Sequence, residues 1–212
     1  MKKLALLLLI LLVGFPTQAQ QFTSYSTMHK NVGFGKSNDC AGNPYMDFCV
    51  NGPLVHPDGR PVGGYIDNGV QIQDWVNPMT IGKNFAVGNG IFGVDTYGDF
   101  HMVSYESRSE LPQMRWAFQN GLMLVQNGEN VRGTSTSKSI RSGIGHDYEG
   151  NLVVIVTFDP VTLRELADMF LYMDCVNAIY LDGAAPYVGF SNNEREPTGM
   201  VENAIKLQLY NN

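Results

Sequence analysis

Charge is scarce in this chain of 212 residues, and no basic excess is present. Charged residues make up 16% of the sequence and hydrophobic residues 44%, a balance that excludes intrinsic disorder because enough apolar surface is available to build a core. Lys and Arg total 14 against 20 Asp and Glu, which gives a net charge of -6. The chain therefore offers no general attraction for phosphate backbones or anionic membrane surfaces, and we expect no nucleic-acid partner.

Motifs of several large enzyme classes are also missing. The sequence contains no P-loop, no Rossmann glycine fingerprint, no nucleophile-elbow pentapeptide and no paired-histidine metal helix. Its histidines occur singly, without the spacing of metal ligands, so we expect no metal site on them; they are His29, His56, His101 and His146. A chain of this length buries about 70% of the surface that it exposes when unfolded, so it does not need a cofactor or metal for stability. We expect no cofactor.

The N-terminal apolar run is too short for a transmembrane helix, which needs about 20 residues. Residues 4–15 supply 12 before Pro16 ends the run. Lys2 and Lys3 precede it and a small-residue cleavage motif follows, so residues 1–19 are predicted to be a cleaved signal peptide. We therefore expect a mature chain without a transmembrane anchor, exported to the periplasm or the extracellular space.

Cysteine is rare, with three residues in the whole chain. Export permits disulfides, and Cys40 and Cys49 lie close together in a polar segment, so we predict a bridge between them. Cys175 lies between a predicted helix and an apolar run, without a neighbouring basic group that would activate its thiol. We expect Cys175 to be buried, unpaired and inert.

Glycine and proline are abundant, with 23 and 10 residues, which disfavours a helical bundle and favours a strand-rich fold. Residues 20–45 lack clear periodicity and are interpreted as an N-terminal extension of loop or edge strand, ahead of a domain at residues 46–212. Apolar runs between turn motifs predict the strands of that domain at residues 48–51, 64–67, 84–87, 91–95, 100–104, 114–118, 122–125 and 204–210.

A strand, a helix and a second strand follow one another near the C-terminal end of the domain. Residues 151–158 are continuously apolar and β-branched, as in a strand covered on both faces. Thr162 and Glu165 have the spacing of a capping box and predict a helix at residues 162–173. We predict a single α/β (α+β) domain, predominantly a β mixed sheet, in which this crossover helix packs on the sheet and joins strands 151–158 and 176–181 as parallel neighbours.

Two residues stand out as chemical candidates. Asp182 follows the apolar strand directly and precedes Gly183, which places a carboxylate at the carboxyl end of a strand, where ligands tend to bind. An ordinary Asp-Gly turn is the alternative. Arg141 precedes a glycine-rich stretch that would permit a ligand to approach the backbone, and its guanidinium could hold a phosphate. A surface salt bridge is the alternative there.

Several segments resemble the phosphodiester glycosidase family in their order and spacing. Those segments are Ile-Arg-Ser-Gly-Ile-Gly-His-Asp-Tyr-Glu-Gly at residues 140–150, the strand and helix after it, Asn-Ala-Ile-Tyr-Leu-Asp-Gly at residues 177–183, an asparagine-glycine motif at residues 50–52 with residues 56–63, and Gln-Asn-Gly-Leu-Met-Leu-Val at residues 119–125. The resemblance spans residues 48–188 and implies an exported hydrolase. Its substrate would be a carbohydrate or glycan phosphodiester, for example an N-acetylglucosamine-1-phosphodiester, cleaved to free sugar and phosphomonoester.

The resemblance also implies roles for individual residues. Arg141 would hold the phosphate, Asp182 would act at the anomeric carbon as base or nucleophile, and Asp159 would be a second carboxylate. The remaining substrate contacts would come from Asn51, Gly52, Gly145 and Gly183, together with Arg141.

The loop after Asp182 departs from the family pattern. Residues 183–186 read Gly-Ala-Ala-Pro, whereas the family continues with more glycine and a serine. Pro186 lacks an amide donor and the two alanines add Cβ atoms, so this loop would not cradle a phosphate in the same way. This departure motivates an alternative, a catalytically impaired glycan-binding protein of the same fold. A further alternative is an unrelated exported structural protein whose matches reflect only turn and core patterns.

Overall fold

The computed structural model describes residues 22–27, 32–36, 46–56, 58–78, 88–133, 136–181, 188–190, 193–195 and 205–210. The predicted signal peptide, Cys40, Asp182 and Gly183 lie outside these ranges. So do residues 84–87, where a strand was predicted, and the loop at residues 184–186.

Strands dominate the described part of the chain, with one α-helix and one 3-10 helix, Tyr105–Glu110. The elements in chain order are β1 (Phe22–Thr27), β2 (Val32–Lys36), β3 (Met46–Asn51), β4 (Tyr65–Asp67), β5 (Val70–Gln73), β6 (Gly90–Asp95), β7 (Phe100–Ser104), β8 (Met114–Gln119), β9 (Met123–Gln126), β10 (Glu129–Asn130), β11 (Ser142–Asp147), β12 (Leu152–Thr157), α1 (Leu163–Tyr172), β13 (Cys175–Tyr180), β14 (Val188–Phe190), β15 (Asn193–Arg195) and β16 (Ile205–Tyr210).

The described strands form three sheets. The first sheet has the order β1-β12-β11-β13-β9-β10, the second β15-β14-β3-β16-β2, and the third β5-β4-β8-β6-β7. The single-domain, β-dominated α+β class predicted from the sequence is confirmed. Strands β1 and β2 come from the predicted N-terminal extension and lie at the edges of the first and second sheets, as expected of edge strands.

The predicted pairing of the two strands around the helix is wrong. β12 and β13 run in the same direction in the first sheet, but β11 lies between them and pairs antiparallel with both. The reason is local: β11 and β12 form a hairpin across the turn at residues 148–150, so β11 already occupies that edge of β12. Every strand pairing among the described residues is antiparallel, and α1 crosses over one intervening strand.

The first sheet is the middle layer of the domain, which confirms that β12 is covered on both faces. Leu152, Val154 and Val156 point into a core shared with the third sheet, while Val153 and Ile155 point into a core shared with α1. All five side chains are fully or almost fully buried. Burial of this run on both sides explains why its sequence is continuous rather than alternating in hydrophobicity.

The helix begins where the sequence predicts. The Thr162 hydroxyl accepts a hydrogen bond from the Glu165 amide at 3.0 Å, and the Glu165 carboxylate accepts one from the Thr162 amide at 2.7 Å. This reciprocal pair is a capping box, and it satisfies two amides that the helix itself leaves unpaired. Phe170 lies on the buried face of α1 and packs over the first sheet. Within the described residues no helix is long and apolar enough to cross a bilayer.

Glycines in β11 make room for Phe170. A Cβ atom at Gly143 would lie 2.7 Å from Phe170 Cε2, and one at Gly145 would lie 2.9 Å from Phe170 Cδ1. Ile144, between them, points to the opposite face and is fully buried there. The glycine pattern that suggested ligand approach therefore serves helix packing at these two positions.

Cys175 is buried and free, as predicted, with 1% of its surface exposed. Burial, together with the nearby Asp147 and Asp174 carboxylates, raises the pKa of its thiol to about 12. We expect no reaction of native protein with a thiol reagent at pH 8, because the thiolate is the reactive form.

The structure describes neither Cys40 nor the side chain of Cys49, so the predicted bridge between them stays a prediction. The same thiol assay tests it. Without reductant, we expect one reactive thiol per chain in denaturant and none in native buffer. Three thiols in denaturant would contradict the bridge, and one in native buffer would contradict the inert Cys175.

Candidate active site

The carboxyl ends of β12 and β13 meet the beginnings of β9 and β11 at one end of the first sheet. The register places Gly143 opposite Tyr180, and the Leu181 amide donates to the Ser142 carbonyl at 2.9 Å. On the other side of β13, the Tyr180 amide donates to the Leu122 carbonyl at 3.0 Å. The last described residue before Asp182 is therefore fixed by backbone hydrogen bonds at this end of the sheet.

Arg141 lies at this end, immediately before β11, and only 7% of its surface is exposed. Its Nε donates to the Val161 carbonyl at 2.8 Å and its Nη2 to the Ser137 carbonyl at 2.9 Å. The Cζ atom lies 5.5 Å from the centre of the Tyr180 ring. These two hydrogen bonds hold the guanidinium in one orientation. Neither of the two carbonyls accepts a hydrogen bond from Nη1, so this nitrogen can still donate to a ligand.

Asn120 connects Tyr180 to the segment that follows β3. Its Nδ2 donates to the Tyr180 carbonyl at 3.3 Å and approaches the Gly52 carbonyl at 3.5 Å, while its Oδ1 accepts from the Leu54 amide at 3.0 Å. Only 1% of Asn120 is exposed. Because Asn51 ends β3 directly before Gly52, the backbone of the predicted sugar-binding motif is held beside the end of β13.

Gln119 organises the neighbouring loops in the same way. Its Oε1 accepts from the Gly64 amide at 3.3 Å and the Val76 amide at 2.8 Å. Its Nε2 donates to the carbonyls of Val76 at 2.6 Å and Gly88 at 3.2 Å. All hydrogen-bonding positions of this buried amide are used, so it joins three segments that lie 31 to 55 residues before it in the sequence. We call Gly52, Gln119, Asn120, Arg141 and Tyr180 the strand-end cluster.

The predicted site residues are placed as follows. The structure brings Gly52 and Arg141 into the strand-end cluster, and Asn51 adjoins it through its backbone. Asp159 is exposed and lies two residues beyond the end of β12, at the same end of the sheet. Gly145 lies in the middle of β11 under Phe170, away from the cluster. Among the described residues no group of His, Cys, Asp and Glu is arranged to hold a metal ion.

Gln119 and Asn120 were not assigned roles from the residue pattern. Gln119 ends β8 and Asn120 follows it directly, and a polar pair before a glycine is also typical of an ordinary turn. The family-like segment at residues 119–125 was the one indication of their importance.

The model of the phosphodiester glycosidase family matches residues 46–187, which is two thirds of the chain and includes all of the strand-end cluster. The chain belongs to the phosphodiester glycosidase family. Membership supports a glycosidase-type hydrolase function with a glycan substrate. No curated protein sequence matches the chain.

The fold is shared with a solved catalytic domain. The catalytic domain of zebrafish N-acetylglucosamine-1-phosphodiester alpha-N-acetylglucosaminidase, auto-inhibited by its pro-peptide, is similar with a TM-score of 0.59 and 14% identity. That match covers 93% of this chain and 85% of the zebrafish chain. A hypothetical protein from Synechocystis gives a TM-score of 0.48 at 11% identity, covering 89% of this chain and 57% of that one.

Proposed function

We propose that this phosphodiester glycosidase is an exported hydrolase that cleaves the bond between a sugar anomeric carbon and a phosphodiester oxygen. Water adds to the anomeric carbon, the carbon–oxygen bond breaks, and the products are a free sugar and a phosphomonoester. An N-acetylglucosamine-1-phosphodiester is the substrate that the family suggests. The observation that supports the proposal is that Arg141 and Leu181, the residue before Asp182, lie at the same end of the first sheet, beside the rest of the strand-end cluster.

Arg141 is suited to the phosphate. Its guanidinium is buried, so an ion pair with a phosphate is screened less by water than one at the surface. The Val161 and Ser137 carbonyls fix its orientation before the substrate binds, which reduces the ordering needed on binding. Because the leaving group is a phosphate, stabilising its charge replaces much of the proton donation that other glycosidases require.

Asp182 acts on the other side of the scissile bond. As general base it would deprotonate the attacking water, and as nucleophile it would form a covalent glycosyl intermediate that water then hydrolyses. Asp159 is proposed as the second carboxylate, and Asn51, Gly52 and Gly183 as sugar contacts. Gly145 contributes by letting α1 pack on β11, which supports the strand that follows Arg141.

A second candidate function is glycan binding without turnover. It is favoured by the Gly-Ala-Ala-Pro sequence at residues 183–186, where the loop after Asp182 has lost backbone freedom and an amide donor. Turnover of a sugar phosphodiester by the purified mature chain supports the hydrolase, whereas saturable binding without turnover supports the binding protein.

The role of Arg141 is tested with Arg141→Lys, which keeps the charge and loses the planar fork. Binding is measured by calorimetry in an Asp182→Asn background, so that hydrolysis does not interfere. We expect affinity for an N-acetylglucosamine-1-phosphodiester to fall about tenfold, because a bidentate charge-assisted contact is lost, with affinity for N-acetylglucosamine unchanged. Equal losses for the two ligands would remove Arg141 from this role.

A further inference from the structure

Positive charge is concentrated beside the strand-end cluster in an otherwise acidic chain. Residues 131–141 contain Arg132, Lys138 and Arg141 and no Asp or Glu, although the whole chain has a net charge of -6. Arg164 adds a fourth cation from the first turn of α1. We call Arg132, Lys138 and Arg164 the basic rim.

Hydrogen bonds hold this segment against the beginning of α1. The Asn130 side chain accepts from the Arg132 amide at 2.9 Å and donates to the Arg164 carbonyl at 3.2 Å, so the backbones of the two arginines are adjacent. The Arg164 guanidinium donates to the Gly133 carbonyl at 3.4 Å.

The other end of the segment is fixed to the residues just before α1. Ser139 exchanges two backbone hydrogen bonds with Val161, whose carbonyl also accepts from Arg141 Nε. Arg141 and the segment that carries Arg132 and Lys138 are therefore held beside the N-terminal end of α1.

Two of the three cations of the basic rim, Arg132 and Arg164, form no ion pair with a described carboxylate. Lys138 pairs with Glu165 at 3.2 Å, and Asp168 accepts a hydrogen bond from Asn130 at 2.7 Å. In the part of the chain that the structure describes, no carboxylate lies within 4 Å of Arg132 or Arg164.

Arg132 is in addition incompletely hydrogen-bonded. Its Nε is buried and has no hydrogen-bond partner among the described residues. Burial lowers the pKa of its guanidinium from the ordinary value, as expected when a cation loses water without gaining an anion. A cation that is partly desolvated and incompletely hydrogen-bonded is costly, so an anion at the accessible part of this guanidinium would be favourable.

We propose that Arg132 and Arg164 form a second anion subsite that binds a further phosphate of the same substrate. The inference rests on the proposed function, in which Arg141 holds the phosphate next to the scissile bond. Two guanidinium groups on neighbouring backbones match phosphate oxygens better than lysines do, because each offers a planar pair of donors. The substrate class is therefore a glycan or glycoconjugate with two or more phosphates, rather than an isolated sugar phosphodiester.

Calorimetric titration of the mature chain with inorganic triphosphate and with orthophosphate tests the second subsite. Triphosphate can reach both subsites, whereas orthophosphate reaches one at a time. We expect Arg132→Gln and Arg164→Gln each to weaken triphosphate binding about tenfold and to leave orthophosphate binding within about twofold. Arg115→Gln is the matched control, because Arg115 is an exposed arginine near the start of β8, at the opposite end of that strand from Gln119.

The outcomes separate the second phosphate subsite at Arg132 and Arg164 from the phosphate role of Arg141. Losses no larger than in Arg115→Gln, or no preference of the native protein for triphosphate, would overturn the second subsite. If Arg141→Lys weakens orthophosphate binding while the rim variants change nothing, the proposed function stands without the rim. If triphosphate binding depends on Arg132 and Arg164 but orthophosphate binding does not depend on Arg141, the rim stands and Arg141 loses its assignment. Arg164 is exposed, so Arg164→Gln preserves the test even if Arg132→Gln does not fold.

Discussion

Asp182→Asn is expected to lower kcat on an N-acetylglucosamine-1-phosphodiester by about 10³-fold, within the range for removal of a general base. The amide keeps the size and most hydrogen bonds of the carboxylate but can neither accept a proton nor attack the anomeric carbon. Substrate affinity should change little, since phosphate binding is assigned to Arg141. Steady-state kinetics of the purified mature chain measures both quantities.

Asp99→Asn is the control for this substitution. Asp99 is exposed in the turn between β6 and β7, at the end of β6 opposite to Gly90, which hydrogen-bonds to Gly121 beside the strand-end cluster. Its replacement removes the same charge and should leave kcat unchanged. If Asp182→Asn retained more than a tenth of the activity of Asp99→Asn, the assignment of Asp182 would be contradicted.

Gln119→Leu should destabilise the protein by about 3 to 5 kcal/mol, a large part of the stability of a typical domain. Leucine has a similar size but leaves the Gly64 and Val76 amides and the Val76 and Gly88 carbonyls without their partner. Urea unfolding followed by tryptophan fluorescence measures the loss.

The matched control is Gln126→Leu, the same substitution at an exposed position that ends β9. Its free energy of unfolding should lie within about 0.5 kcal/mol of the native value. Similar stabilities of the two variants would show that the Gln119 hydrogen bonds do not hold the loops together.

Local features of this fold could be predicted from the sequence. The capping box of Thr162 and Glu165 acts within four residues, and β12 is recognised by its unbroken β-branched run. The Asn127-Gly128 pair between β9 and β10 is another local feature, and both residues adopt the positive φ that such a pair favours. In each case the determining interaction lies within a few residues of the chain.

Features that depend on residues distant in sequence were missed. β11 was not predicted as a strand, because Gly143 and Gly145 weaken a strand pattern. Glycines in a strand indicate that another group packs closely against the backbone, but they do not identify that group. The group that packs there is the Phe170 side chain, 25 or more residues later in the sequence, and the glycines alone do not predict it. The partners of Asn120 are equally distant, at sequence separations of 60 to 68 residues.

Hydrolysis of an N-acetylglucosamine-1-phosphodiester in water labelled with ¹⁸O tests the proposed reaction most directly. The products are identified by phosphorus NMR and mass spectrometry. Cleavage at the anomeric carbon predicts unlabelled phosphomonoester, ¹⁸O in the released sugar, and loss of the reaction in Asp182→Asn. Sugar 1-phosphate with ¹⁸O in its phosphate, or binding of the diester without any product, would contradict a phosphodiester glycosidase.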